Sequence, residues 1–188
     1  MEHKVRKYPQ FSVCGLNCGL CPRYYTKGSS RCPGCGGEGF TETHCSCSML
    51  SCCQRMGLEY CFLCEEYPCR KYDGEGFVDS FITHKNIFRD AEKAKQIGME
   101  AYEAELNIKI KILETLLENY DDGRRKSFYC LAVNLLDLQD LNAIMAQIAD
   151  KAEAEASLKE KAKTAANLFQ AIANEKGITL KLRKKTTS

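Results

Sequence analysis

A chain of 188 residues with 27 Lys+Arg against 25 Asp+Glu carries a formal net charge of +2, so nothing global points to nucleic acid or an anionic membrane. The length suits one compact domain, or a small stapled unit joined to a helical body. No run approaches the roughly 20 apolar residues of a membrane span, and the opening MEHKVRKYPQFSV has no apolar stretch, so no secretory signal is expected.

In chain order, residues 5–13 (VRKYPQFSV) read as a short extended segment, which Pro9 restricts to an edge or entry position. Next comes the stretch from Cys14 to Cys69, which holds twelve of the thirteen cysteines. Gly15 and Gly19 supply permissive dihedrals for its first turns. Pro22 suits the start of a short helix, PRYYTKG, that Gly28 ends. RCPGCGGEG is a tight knuckle turned by Pro33 and Gly34, and CCQRMGLEY predicts another short helix. YCFLCEEYPCRKY closes the segment, with Tyr60, Phe62, Tyr67 and Tyr72 forming a small aromatic core. Aliphatic residues are few between 14 and 75, so folding there is expected to depend on something other than apolar burial.

Composition changes after Gly76. Phe77, Phe81 and Ile82 open a helical pattern that runs to Gly98, a natural C′ residue. MEAYEAELNIKIKILETLLENY follows, with Tyr102, Leu106, Ile110, Leu113 and Leu117 on one face. Asp121 or Asp122 is placed to cap the next helix, whose stripe is Phe128, Leu131, Leu135 and Leu138. Two more helices follow, broken near Ala154–Ser157, the last stopped by Gly177. In ITLKLRKK, Ile178, Leu180 and Leu182 alternate with Thr179, Lys181 and Arg183, which is strand periodicity. A lone strand needs a partner, so pairing with residues 5–13 is expected. The fold class is therefore mainly α: an irregular cysteine-rich N-terminal knot (1–75) packed on a body of about five helices (76–188), with a short two-stranded pairing of the termini.

The cysteine spacing carries chemistry. Cys18-x-x-Cys21, Cys32-x-x-Cys35 and Cys61-x-x-Cys64 each let one tight turn aim two thiolates at a single tetrahedral metal. In a reducing cytosol such thiols are metal ligands rather than disulfides. The first cluster offers Cys14, Cys18, Cys21, Cys32 and Cys35. Its best-spaced four are Cys18, Cys21, Cys32 and Cys35, with Cys14 as an alternative ligand or a supporting thiol. The second offers Cys45, Cys47, Cys52, Cys53, Cys61, Cys64 and Cys69. There the expected four are Cys47, Cys52, Cys61 and Cys64, with Cys69 as replacement. Twelve cysteines also suffice for three four-ligand sites, and spacing does not decide between two ions and three. His44, beside Cys45, is a substitute ligand or a surface histidine; His3 and His84 have no ligand neighbours in sequence. Residues 1–75 carry nine Lys+Arg against eight Asp+Glu, and each zinc held by four thiolates adds about −2. A loaded knot is then mildly acidic, which weighs against DNA.

Cys14-x-x-x-Cys18-x-x-Cys21 also matches the spacing with which radical-SAM enzymes hold a [4Fe–4S] cluster, although helices follow it here instead of a large α/β barrel. Cys21-Pro22 and Cys69 resemble ferredoxin cluster loops without the regular run. More specifically, CGLNCGLCPRYY, RCPGC, HCSCSMLSCC and EYCFLCEEYPCRKY together resemble a cysteine-rich bacterial and archaeal family of unknown function regarded as zinc-binding. The resemblance covers roughly residues 12–75, and YDDGRRKSFYCLAVNLL resembles what accompanies that domain in some members. It implies Cys14, Cys18, Cys21, Cys32, Cys35, Cys47, Cys52, Cys61, Cys64 and Cys69 as metal residues, with Cys45 and Cys53 extra to its pattern.

Asp121 to Ser127 is either an anion site, with Arg124 or Arg125 holding phosphate or carboxylate, or a capped, solvated first turn; the second reading is preferred. Cys130 reads as an inert core thiol. No Ser/His/Asp grouping, phosphate-cradling glycine loop or paired carboxylates stand out, so no enzyme activity is assigned. The expectation is a cytoplasmic protein with two structural zinc ions, presenting a surface for a protein partner or small ligand. The alternatives are an iron–sulfur redox or catalytic protein and a zinc-ribbon-like nucleic-acid binder that uses Arg124, Arg125 and Lys184.

Overall fold

The structure, a computed structural model, describes residues 5–73, 78–151 and 157–183. Gly76, Phe77, Ala154 and Lys184 therefore lie outside the described residues. The described residues form seven α-helices: α1 (Phe40–Thr43), α2 (Ser48–Met56), α3 (Ile87–Ile97), α4 (Met99–Asn119), α5 (Lys126–Leu135), α6 (Leu138–Lys151) and α7 (Leu158–Glu175). The last five form the helical body. None of the described helices is long and apolar enough to cross a membrane.

The body follows its apolar spacing. Helix α4 buries Tyr102, Leu106, Ile110 and Leu113, and its last turn buries Leu116 where Leu117 was expected. Gly98, at φ 85°, separates α3 from α4. Helix α5 is buried on nearly every side from Tyr129 to Leu135, because it packs against α4, α7 and the Cys18 turn at once. A helix apolar all round belongs at the centre of a bundle. Helices α6 and α7 pack through Leu141, Ile144 and Ile148 against Ala165, Phe169 and Ala173. Ser157 and Glu160 start α7 with a reciprocal capping box.

Three expectations are corrected. The described residues contain no strand, and the two-stranded pairing of the termini is not supported. Residues 5–13 give their backbone bonds to the cysteine turns instead. Arg6 N–H donates to Gly36 (3.0 Å), Cys35 N–H to Pro9 (2.8 Å), Gly19 N–H to Gln10 (2.9 Å) and Cys61 N–H to Val13 (2.8 Å). The C-terminal tail is held elsewhere: Asp79 accepts from the backbone (2.8 Å) and guanidinium (3.0 Å) of Arg183. Lys85 donates to the Thr179 carbonyl at 3.0 Å. Its alternation reports the packing of Ile178, Leu180 and Leu182 against the helical core. The helix expected from Phe77 starts only at Ile87, since Asp79 captures the His84 amide (2.8 Å) and bends the chain before it. PRYYTKG forms overlapping turns, with Tyr24, Tyr25 and Thr26 each bonded three residues back.

The cysteine-rich segment shares its apolar interior with the helices. Phe11, Leu20, Tyr60 and Phe62 lie in the same buried cluster as Tyr102, Leu113, Tyr129 and Phe169. A second cluster contains Val13, Phe40, Met49, Leu50, Tyr72 and Ile87, together with Cys14, Cys32, Cys35 and Cys53.

Candidate metal centre

Two of the three Cys-x-x-Cys pairs are built alike. Cys18–Leu20 and Cys61–Leu63 are single 3-10 turns, closed by Cys21 N–H to Cys18 C=O (3.1 Å) and by Cys64 N–H to Cys61 C=O (3.0 Å). Cys21 (φ −85°, ψ 136°) and Cys64 (φ −82°, ψ 139°) then leave in the same extended conformation. Side chains three apart on such a turn line up, so each turn sets two thiols side by side. The residues between do the opposite work: Leu20 and Phe62 are buried in the helical core. Each turn is thus two-faced, with sulfur on one side and an apolar anchor on the other.

The Cys32–Cys35 turn differs. Gly34 adopts φ +91°, and a β-carbon there would stand 2.4 Å from the Pro9 carbonyl oxygen. Glycine is required both by the dihedral and by the close approach. Gly19 has a purely spatial role, since a β-carbon there would meet Ile110 at 2.5 Å. It lets the Cys18 turn settle directly on α4.

Cys14 is buried beside Ser12, whose hydroxyl lies 3.1 Å from the sulfur and accepts the Leu16 amide at 2.7 Å. Cys47 precedes α2, and Cys53 lies on the buried face of this helix with Met49 and Leu50. Cys52 is half-buried, 4.0 Å from Arg55 and close enough to Cys53 to raise it. Cys45 is exposed beside His44, whose ring stacks on Phe40. Both face a surface cavity of ≈ 380 Å³ that Gly37, Cys47 and Leu50 also line.

The electrostatics show how closely the thiols crowd. Burial pushes Cys18 well above the ordinary thiol range, and Cys35, Cys14, Cys21 and Cys32 push it further. Cys14 is raised to about 12, chiefly by burial, with Cys35 and Cys47 adding to the rise. Burial likewise raises Cys21 and Cys35, against backbone N–H groups of Arg23 and Val13 respectively. The Cys53 and Cys61 sulfurs are 3.4 Å apart. A hydrogen bond from Cys53 lowers Cys61 to about 7, helped by the Tyr72 hydroxyl, Arg6 and Lys71. The same bond holds Cys53 high. Cys130 is buried in α5 and raised by burial to about 12, which suits an unreactive core thiol.

All thirteen cysteines are free thiols. Cys14, Cys32, Cys35 and Cys53 are buried in one cluster, the half-buried Cys18, Cys47, Cys61 and Cys69 pack against it, and Cys21 adjoins Cys18 and Cys32. Cys52 and Cys64 lie outside it. The two clusters separated in sequence are therefore merged in space, since Cys47 neighbours Cys14 and Cys35. Among the described residues, no three Cys, His, Asp or Glu side chains are already closed around one point. In kind, the donors fit zinc: soft, free, paired on tight turns, and disfavoured as anions by burial unless a cation compensates.

Two residues without metal-ligand chemistry brace this region. Arg6 donates to the carbonyls of Phe11 (2.8 Å) and Cys35 (3.2 Å), and its guanidinium lies 4.8 Å from the centre of the Tyr60 ring. Asn17, directly before Cys18, donates to Asp90 (2.8 Å) and Asn134 (3.1 Å) and accepts from Tyr102 (2.9 Å). Nothing in their spacing marks them. At the start of α5, the Asp121 carboxylate accepts the amides of Gly123 and Arg125 and Asp122 accepts that of Arg124. The chain's own aspartates thus occupy the amides that an external anion would need.

A family model described as a protein of unknown function (DUF3795) matches residues 10–74, the stretch that contains every cysteine from Cys14 to Cys69. Comparison with curated proteins and with solved structures finds no match.

Proposed function

We propose that this chain is a zinc-binding protein in which two structural zinc ions, held by thiolates drawn from Cys14 to Cys69, shape the first 75 residues and seat them on the helical body. The observation that carries this reading is the buried gathering of free thiols around Cys14 and Cys18, on turns whose backbone is already set. Bound zinc supplies the positive charge that turns these thiols into stable anions and converts binding free energy into folding free energy. The chain's own residues do the rest. Leu20 and Phe62 orient the turns, Ser12 lies within hydrogen-bond distance of the Cys14 sulfur, Tyr72 donates to the Cys14 carbonyl, and Arg6 holds the Cys35 carbonyl. Sites closed by four thiolates leave no open coordination position, which favours a structural over a catalytic role. The shaped segment then presents a surface to a protein partner or small ligand, in a cytoplasm that keeps the thiols reduced.

Elemental analysis of freshly purified protein tests this. The expected result is about two zinc per chain, which at four ligands per ion uses eight of the twelve clustered thiols. Iron with acid-labile sulfide instead would make the chain an iron–sulfur protein. Protein with neither metal, still fully folded, would remove the metal reading altogether.

A further inference from the structure

The expected second ligand set includes Cys52, and the family resemblance leaves Cys53 over. We infer that Cys53 and Cys61 are ligands of one and the same ion, with Cys53 taking the place expected of Cys52; this rests on the zinc-binding reading above.

Three observations carry it. The first is the sulfur separation of 3.4 Å. Zinc–thiolate bonds of about 2.3 Å in a tetrahedron set neighbouring sulfurs about 3.8 Å apart, whereas a disulfide needs about 2.05 Å. The observed spacing is near the first value and far from the second.

The second is helix geometry. Successive residues of an α-helix point about 100° apart. With Met49, Leu50 and Cys53 facing inward, Cys52 lies about 100° round the helix from Cys53, at the half-buried edge of that face beside Arg55. Cys53 is 4% exposed and belongs to the cluster that contains Cys14, Cys35 and Cys61, whereas Cys52 does not.

The third is the route of the chain between the two cysteines. Gly57, at φ 68°, ends α2, and the Leu58 amide bonds back to the Cys53 carbonyl at 2.9 Å. The chain therefore folds over Cys53 before Tyr60, and the Cys61 amide is fixed to Val13 at 2.8 Å. Both sulfur-bearing backbones are held by bonds that do not involve the sulfurs. Cys64, which the turn sets beside Cys61, and Cys14, Cys47 and Cys69 of the same cluster are the candidates to complete the site. On binding, each thiol gives its proton to solvent and its sulfur lone pair to the ion, and no oxidation is involved.

Cadmium-113 replaces zinc at thiolate sites, and its scalar coupling to cysteine β-protons names the ligands without any mutation. The full-length protein, reduced, stripped and reloaded with cadmium-113, is expected to show one cadmium resonance correlated with the β-protons of both Cys53 and Cys61, and none with Cys52. In parallel, Cys53→Ala should lose one metal equivalent per chain, Cys53→His should retain it, and Cys52→Ala should keep the wild-type content. A cadmium coupled to Cys61 but not to Cys53 overturns the inference and leaves the zinc reading standing. So does a Cys53–Cys61 disulfide in protein that keeps its full metal content. Protein that takes up neither zinc nor cadmium overturns the zinc reading, and this inference with it. If Cys53→Ala does not fold, the cadmium spectrum of the unmutated protein decides alone.

Discussion

Replacing Asn17 with alanine removes the bolt that joins the first cysteine turn to the helices. Asn17 is 3% exposed, and its amide makes three hydrogen bonds, to Asp90, Asn134 and Tyr102, which are themselves buried. Truncation leaves those three polar groups facing a small void. Asp90 keeps its contact with Arg89 at 3.3 Å, so it suffers least. An orphaned buried group costs about 1–3 kcal/mol, and a water entering the vacated space recovers part of it. The expected loss is therefore about 3–5 kcal/mol, a large share of the roughly 5–15 kcal/mol by which domains are stable. Urea unfolding of metal-replete protein, with the slope held equal between variants, measures it. Tyr102→Phe removes one of the three bonds and should cost about 1–2 kcal/mol. A double-mutant cycle on Asn17 and Tyr102 should show clear coupling. If Asn17→Ala costs no more than Asn119→Ala at an exposed helix position, about 0.5 kcal/mol, the network is not what binds turn to body.

Glu103 is 4% exposed, with one carboxylate oxygen lacking a partner, and burial raises it to about 7. The folded state then holds this proton more tightly than the unfolded one. Its contribution is greatest below the unfolded value near 4.5 and is lost as pH rises towards 7. Relative to wild type, Glu103→Gln should be more stable at pH 8 by at most about 3 kcal/mol, with no difference of this origin at pH 4, read from paired denaturation curves. Gly34→Ala combines a left-handed dihedral with a 2.4 Å clash against Pro9 and should destabilise by about 2–4 kcal/mol; a loss below 0.5 kcal/mol, as for a neutral surface change, would show that the turn relaxes freely. Chelation should raise amide exchange across residues 14–73 first, leave most of the helical circular dichroism, and lower the melting temperature of the body because Leu20 and Phe62 are part of its core. Unchanged exchange in the stripped protein would contradict a metal-dependent fold.

Which parts were readable in advance follows from what periodicity can report. The stripe Tyr102, Leu106, Ile110 and Leu113 marks one buried face, and it appears as such in α4. Gly98 and Gly177 lie just beyond the ends of α3 and α7, at φ 85° and φ 67°. The same logic misled at Ile178, Leu180 and Leu182: alternation shows that one side is buried, but not whether a strand or a helical bundle covers it. Asp79, whose carboxylate holds the tail and breaks the expected helix before Ile87, carries no local signal of either contact. The cysteine motifs gave their pairing on turns but not their grouping in space, because Cys47 reaches back to Cys14 and Cys35. Cys53 was within reach of inspection. With Met49 and Leu50 four and three residues before it, it shares their inward side of a short helix. Asn17 was not, since its three partners come from α3, α4 and α5.

The back-to-back construction of the Cys18 and Cys61 turns has a thermodynamic corollary. A residue that anchors one compartment while its neighbours serve another makes the two equilibria reciprocal. If occupancy of the sulfur side tightens the grip of Leu20 and Phe62 on the helices, then whatever compacts the helices must, by the same factor, raise affinity on the sulfur side. A molecule settling on the helical body far from any cysteine would therefore register as slower escape of the ion, and loosening that body would speed its exchange with a competing chelator.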